Sequence, residues 1–347
     1  MKYQLIKGED FNYNVTYNGT DGIVQQIIFT DEAVPKGVKL KDLSNDGDGS
    51  VVGWMEANGI YKVSTQEKEQ KVIFNGDCKK MFADFMQLKE IDFSMIDTSN
   101  VQDMSRMFKE CEELEKLDLS GFDTSNVTNM REMFAVCESL ENLNLSSFKT
   151  SNVSNMNAMF FDCSFLKQLD VSSFDTSKVN DMSDMFAECI GLISLDLSNF
   201  DTSRVENMGG MFYFYHGEHL DLSSFDTSKV NDMSGMFSWC ENLASLDLSN
   251  FDTSNVKYMS NMFWQCIRLE HLNLSSFNTS NVTNIAWMFD KCENLKTLKT
   301  TDKQLKNIYE EWMASQQNQV HPDINPKSLK INKEKEMQKE KGINKKE

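Results

Sequence analysis

Proline is scarce, at 3 of 347 residues, which excludes a long Pro-rich stalk. Only four histidines occur, and no CxxC pair or Cys/His cluster has zinc-site spacing. No apolar run is long enough to cross a bilayer. The N-terminal stretch MKYQLIKGEDFNYN holds no apolar core of the kind a secretory signal needs. A nucleophile elbow, a phosphate loop and a metalloprotease helix motif are all lacking. The expectation is a protein that is not an enzyme and holds no cofactor or metal. Positive charge is also in deficit. There are 35 Lys and Arg against 53 Asp and Glu, a net charge of −18, and the pI is near 4.7. Such a surface repels phosphate backbones, so nucleic acid is not the expected partner. It suits a partner with a basic protein surface.

What the chain has in excess is Met, at 22, and Phe, at 24. Both follow from a repeat. Phe82, Phe108, Phe134, Phe160, Phe186, Phe212, Phe237, Phe263 and Phe289 each follow a Met and lie 26 residues apart, with a single gap of 25. A fixed period of this length marks stacked repeats. One unit reads LEKLDLSGFDTSNVTNMREMFAVC, residues 114–137. Its first part alternates, with Leu117 and Leu119 on one side and Lys116, Asp118 and Ser120 on the other, the period of a half-buried strand. In its second part Val127, Met130, Met133, Phe134 and Cys137 sit at helical offsets. Between them Asp123, Thr124 and Ser125 are helix N-cap residue types. The expected fold is α/β: a leucine-rich-repeat solenoid of nine rungs, each strand–turn–helix. Its strands would pair into one parallel sheet about 40 Å across.

Seven cysteines, Cys111, Cys137, Cys163, Cys189, Cys240, Cys266 and Cys292, share one repeat position, and Cys78 stands outside it. They read as a buried ladder of free thiols. Residues 1–77 break the period and, with VVGWM (51–55), IYKVST (60–65) and KVIF (71–74), read as a β-rich N-terminal cap. The repeats occupy 78–299. A capping helix is expected within 300–325, with Leu305, Ile308 and Trp312 on its apolar face. Residues 326–347, rich in Lys and Glu, read as a disordered tail.

The phrase FDTSNVTNM–MF–C–L–LDLS resembles the BspA-like leucine-rich repeats of bacterial surface proteins over roughly residues 75–299, and DGSVVGWMEANGIYKVST (48–65) looks like the segment that precedes them. The resemblance implies a surface-exposed or secreted adhesin-like protein that binds host extracellular matrix or another cell's proteins. It implies no catalytic residues. With no signal segment in view, an intracellular, cytoplasmic interaction scaffold is the alternative.

Four candidate sites emerge. The first is an exposed strand row, Asp92, Asp118, Asn144, Asp170, Asp196, Asp221, Asp247, Asn273 and Lys299. It is either a solvated polar face or a recognition surface for a basic ligand or Ca²⁺. Beside it run Lys116, Asn142, Gln168, Ser194, His219, Ser245, His271 and Thr297. The second is the irregular unit MFYFYHGEHLDLS (211–223), one residue short and without its Cys. There Tyr213, Phe214, Tyr215, His216 and His219 either fill the gap or form a ligand pocket. His219 and His271 are two units apart, about 10 Å, too far to share a metal. The third, SNDGDGS (44–50), resembles the start of an EF-hand loop, but Glu56 falls one residue late for the bidentate ligand, so it reads as a turn. The fourth is the aromatic set Tyr258, Trp239, Trp264 and Trp287, read as partly buried packing or an exposed patch.

Overall fold

The computed structural model describes residues 1–16 and 23–318. The expected tail at 326–347 lies outside the described residues. By internal packing the chain divides into a unit of residues 1–309 and a short second unit beginning at Glu310, whose described part is the end of one helix.

The first unit opens with helix α1, Gly8–Thr16, which turns Phe11 and Val15 inward. Strands β1 (Gln26–Thr30), β2 (Lys41–Asp42), β3 (Val52–Met55) and β4 (Ile60–Ser64) follow. The short strands β5 (Val72–Ile73), β6 (Glu90–Asp92) and β7 (Ile96–Asp97) come next. The first sheet has the order β2-β3-β4-β1-β6. Thus β6, from the first repeat unit, pairs in parallel with β1 of the preceding segment. The three segments read from sequence as strands are β3, β4 and β5. Helix α1 carried no sequence signal. It approaches the first unit so closely that a Cβ on Gly8 would lie 2.4 Å from the Lys79 carbonyl oxygen, so only glycine fits there.

Beyond β7 the fold is α/β with several parallel sheets. Strands β8 (Asn142–Leu143) and β9 (Gln168–Leu169) form one pair, and β10 (Ser245–Asp247), β11 (His271–Leu274) and β12 (Thr297–Thr300) form a three-stranded sheet. Register is kept at one unit per step, Leu246 opposite Leu272 and Leu272 opposite Leu298. The expected single sheet is therefore broken. Between β6 and β8 only a lone parallel pairing, Glu90 with Lys116, marks the row, and the segments around Asp196 and Asp221 form no strand. Strands of two to four residues leave little to hold register, and the short unit at 211–223 breaks it.

The expected helix of each unit is absent, and this is the main correction. Its residues form consecutive turns. Met107 N–H bonds the Met104 carbonyl and Cys111 N–H bonds that of Phe108, both at 3.2 Å. The third residue of each turn, Arg106 and Glu110, has a positive φ near 60°, as a type II turn requires. The alternate N–H groups reach the next unit: Met104 to Asn129, Arg106 to Arg131, Phe108 to Met133 and Glu110 to Ala135, at 2.8–3.0 Å. With its donors used between units, the segment has none left for i→i−4 bonds. Positive φ costs a non-glycine residue about 1 kcal/mol. The regular inter-unit bonds offset this, and the pattern recurs in every unit, even at β-branched Val136.

The FDTSN segment changes role accordingly. Asp123 accepts from the Ser125 N–H at 3.0 Å, a side-chain turn and not a helix cap. Buried Thr124 bridges units: its hydroxyl donates to the Lys149 carbonyl at 3.1 Å and accepts the Lys149 N–H at 2.7 Å. The same bridge is made by Thr150, Thr202 and Thr253.

Between strand row and turn row lies the core. Val127, Met130, Met133, Phe134 and Cys137 are fully buried. The nine Met-Phe phenylalanines form a column of nearly parallel rings, with successive centroids 5.4–6.1 Å apart. Each such pair adds about 0.5–1.5 kcal/mol beyond area burial. Both ends of the column are closed edge-on, by Phe11 against Phe82 at 5.7 Å and by Tyr309 against Phe289 at 6.0 Å. All eight cysteines are free and buried. In the ladder the thiol of Cys137 donates to the Phe108 carbonyl at 3.1 Å, and its neighbours repeat this. Burial pushes the Cys137 thiol up to about 12.

Helix α2, Lys303–Asn318, begins where the repeats end. Asp302 is its N-cap, accepting the Leu305 N–H at 3.0 Å, and its carboxylate also takes the N–H and hydroxyl of Thr279. Leu305 is fully buried.

Candidate functional site

The Asp/Asn row is exposed except at half-buried Asn273, and it is not free of structural work. The carboxylate of Asp118 accepts the Ser120 N–H at 2.9 Å, and Asp170, Asp196, Asp221 and Asp247 do the same two residues on. Asn144 and Asn273 make the equivalent bond. These bonds hold the carboxyls of Asp118 and Asp196 below the usual range, the backbone N–H of Ser120 or Ser198 acting first and its hydroxyl second. The row is thus ionised and fixed in direction, because each side chain is tied to its own backbone.

The neighbouring row varies from unit to unit. Lys116, Asn142, Gln168, Ser194, His219, Ser245, His271 and Thr297 are all exposed. Within it His271 Nδ1 lies 2.8 Å from the Thr297 hydroxyl. Where the sheet is broken between β6 and β8, a hollow of about 500 Å³ opens, lined by Glu115, Lys116, Asp118, Glu141 and Asn142 among others.

The irregular unit divides its residues between core and surface. Tyr215 is fully buried. It stands in the Cys column between Cys189 and Cys240, with its hydroxyl 3.4 Å from the His219 carbonyl, so it fills the gap and offers nothing to a ligand. Tyr213 is half-buried and faces the opposite, turn side of the unit. Phe214, Trp239 and Trp264 form one cluster, with centroids 5.4 Å and 5.5 Å apart. Tyr258 and Trp287 are exposed. The SNDGDGS segment is a turn leading into β3: Gly47 N–H bonds the Ser44 carbonyl and Gly49 N–H its hydroxyl. Among the described residues no group of three or more His, Cys, Asp or Glu is placed to hold a metal ion.

Sequence reasoning missed a groove of about 530 Å³ on the turn side, lined by Phe161, Asp184, Glu188, Gly210, Tyr213, Gly235 and Trp264 among others. It spans several units, so no single stretch reveals it. Phe161, Tyr213 and Trp264 each follow the Phe of the central column, on every second unit, and Ala187 and Ser238 occupy the units between. Asp184 lies against Gly210, where a Cβ would fall 2.1 Å from its carboxylate oxygen, and Gly210 has φ +61°. Burial, then the carboxylates of Asp181, Asp232 and Glu188, raise the Asp184 carboxyl to about 6.

Parallel units tied backbone to backbone around a buried Phe, Met and Cys core define a repeat protein. The matching family model is described as "Mycoplasma protein of unknown function, DUF285", and it covers residues 76–190, 141–217 and 214–324. The chain belongs to that family. No curated protein matches it. Among solved structures, a leucine-rich cell surface protein from Faecalibacterium prausnitzii A2-165 is similar at 14% identity, over 89% of this chain and 93% of that one. Its TM-score is 0.29, too low to carry an argument about fold or location.

Proposed function

We propose that this chain is a non-catalytic, protein-binding scaffold of the BspA-like kind, a leucine-rich-repeat solenoid of nine rungs. It acts at the cell surface or after secretion as an adhesin-like protein toward host matrix or another cell's proteins. The strand side is its binding face. The observation that carries this reading is the contrast between neighbouring rows. The turn, Thr, Phe and Cys positions are committed to bonds between units, whereas the row from Lys116 to Thr297 is exposed and differs at almost every unit. Such a surface can change its partner without changing the fold. The fixed carboxylates beside it favour a ligand with basic character and salt-dependent association.

The test replaces Asp170, Asp196, Asp221 and Asp247 with Asn together. Asn keeps the acceptor that holds each turn, as Asn144 does, so folding should survive. Binding to immobilised matrix proteins should weaken and lose most of its salt dependence. Unchanged binding with unchanged salt dependence would remove the strand side as the site.

A further inference from the structure

Three irregularities coincide on one stretch of the strand side. The first is apolar exposure. The position four residues after the Cys column is charged in most units, as at Glu115, Glu141, Lys167 and Glu270, but in the unit of Cys189 it is Ile193. Ile193 is 69% exposed, Ile190 is 40% exposed, and Phe165, in the unit before, is 58% exposed. Gly191, between the isoleucines, brings the two units close. A Cβ there would lie 2.9 Å from the Ser164 carbonyl oxygen and 2.7 Å from that of Leu166, the residues on either side of Phe165.

The second is the loss of strands. The segments around Asp196 and Asp221 form none, and Leu195 and Leu220 are half-buried, whereas their counterparts Leu143, Leu169 and Leu246 are buried. The third is charge. Asp170, Asp196, Asp221 and Asp247 are the longest run of the row without an Asn or Lys. The bonds from Ser198 and Ser223 hold Asp196 and Asp221 ionised against the like charges of Asp170 and Asp196. Lys167, one unit before Ile193, is engaged with Glu141 at 2.8 Å.

Single apolar residues on a surface need no explanation, but a cluster rimmed by polar groups marks an interaction site. Ile193 and Asp196 are three residues apart along the chain, about 10 Å. An extended segment laid across the units between them sends alternate side chains to the isoleucines and to the carboxylates. The run of four acids spans about 15 Å, the length of about five extended residues. A second copy of this chain does not suit the surface, because it would set one acidic row against another with −18 on each chain.

We propose that a partner protein docks here through an extended segment that alternates apolar and basic side chains. Its apolar residues would lie on Phe165, Ile190 and Ile193, and its cations on Asp170, Asp196 and Asp221. Such a site depends on the strand side being the binding face, and it narrows that face to one stretch and one kind of sequence.

The test titrates three heptapeptides against the full chain at constant salt. They alternate lysine with leucine, lysine with serine, and glutamate with leucine. The lysine–leucine peptide should bind at least tenfold tighter than the lysine–serine peptide, and the glutamate–leucine peptide should not bind. Phe165→Ser combined with Ile193→Ser should remove that advantage and leave the lysine–serine peptide unchanged. Thermal melts establish that the variant is folded, and Ile193→Ala, matching Ala244 at the same position, replaces it should it fail to fold. The quadruple strand-row variant should weaken both lysine peptides alike. Equal binding of the two lysine peptides, or an advantage retained in the folded serine variant, overturns the apolar site and leaves the strand face standing. Binding of the glutamate–leucine peptide as tight as that of lysine–leucine overturns the basic character of the partner. Wild-type binding of both lysine peptides by the quadruple variant removes the strand face and the site with it. A concentration-dependent dimer that the serine variant abolishes would assign the patch to a second copy, and overturns the proposal as well.

Discussion

The strand side and the turn side of the repeat divide the work unequally. On the strand side the sheet is interrupted twice, and its strands are two to four residues long. On the turn side, parallel pairing runs without a gap from Asp77 through Asp103, Asn129, Asn155, Asp181, Asn207, Asp232 and Tyr258 to Asn284. It passes through the irregular unit, where the strand side fails. The residue missing from that unit is lost between its Cys-column position and its strand, so the turns before it keep register. Continuity of the array therefore resides in turns and buried side chains, and the strand side is left free to vary.

This division can be broken most severely in the core. Phe134→Ala removes one ring from the stacked column and should cost about 3–5 kcal/mol, read as the shift in a urea unfolding midpoint. A loss of under about 1 kcal/mol would mean that the column does not hold the units together.

The two acids on the turn side should respond with opposite signs. Glu132 is held below its ordinary 4.5, so its contribution is present above that value and is lost as pH falls toward about 2. Glu132→Gln should destabilise by about 2 kcal/mol at neutral pH, because it strands the charges of Arg106 and Lys109. Asp184 is held above its ordinary 3.8, so its ionisation costs stability as pH rises from about 4 to about 6. Asp184→Asn should therefore stabilise by about 1 kcal/mol at pH 7, after discounting for its partial exposure, and should change little at pH 4. Melts of both variants across that range check the signs. A destabilised Asp184→Asn protein at pH 7 would show that the carboxylate has a cation within the fold.

Thr150→Val keeps the shape of the buried side chain but removes both bonds to Asp175, at 2.9 Å and 2.8 Å. It should cost about 1–2 kcal/mol, visible in the same denaturation experiment. Smallest of all is Asp118→Ala on the strand side, expected to cost about 0.5 kcal/mol. Should Asp118→Ala equal Thr150→Val, the side-chain turns of the strand row would matter as much as the bridges between units.

The period, the buried columns and the free thiols could be read from the sequence, because burial repeats wherever the chain returns to the same place. The helix was misread for a definite reason. Val127, Met130, Met133, Phe134 and Cys137 sit at offsets that suit one face of a helix and equally suit overlapping turns that point the same side chains inward. What separates the two is the backbone at Arg106, Glu110, Glu132 and Val136, whose positive φ these residue types do not advertise. A signal did exist in the pairs Asp118–Ser120, Asp123–Ser125 and Asp103–Ser105: an acceptor two residues before its target is turn chemistry, three times per unit. Tyr215 lies one full period after Cys189, so the repeat alone already aligns it with the Cys column, and of the two readings of that unit its burial fits the filled gap. Asp184 carries little signal in its own stretch, since Gly210, against which it lies, and Asp232, whose charge acts on it, belong to other units.

Asp302 has a consequence for how long this protein can be. Each threonine hydroxyl along the array hands its hydrogen to the unit that follows, and the last, Thr279, hands it to the Asp302 carboxylate. That carboxylate stands where a backbone carbonyl of another unit would otherwise be, and it starts the closing helix in the same stroke. The terminator recognises the end of a unit, not its ordinal number. Copies could therefore be gained or lost by duplication or deletion of whole units in the gene, with both ends of the protein unaltered, which makes length a heritable variable separate from fold.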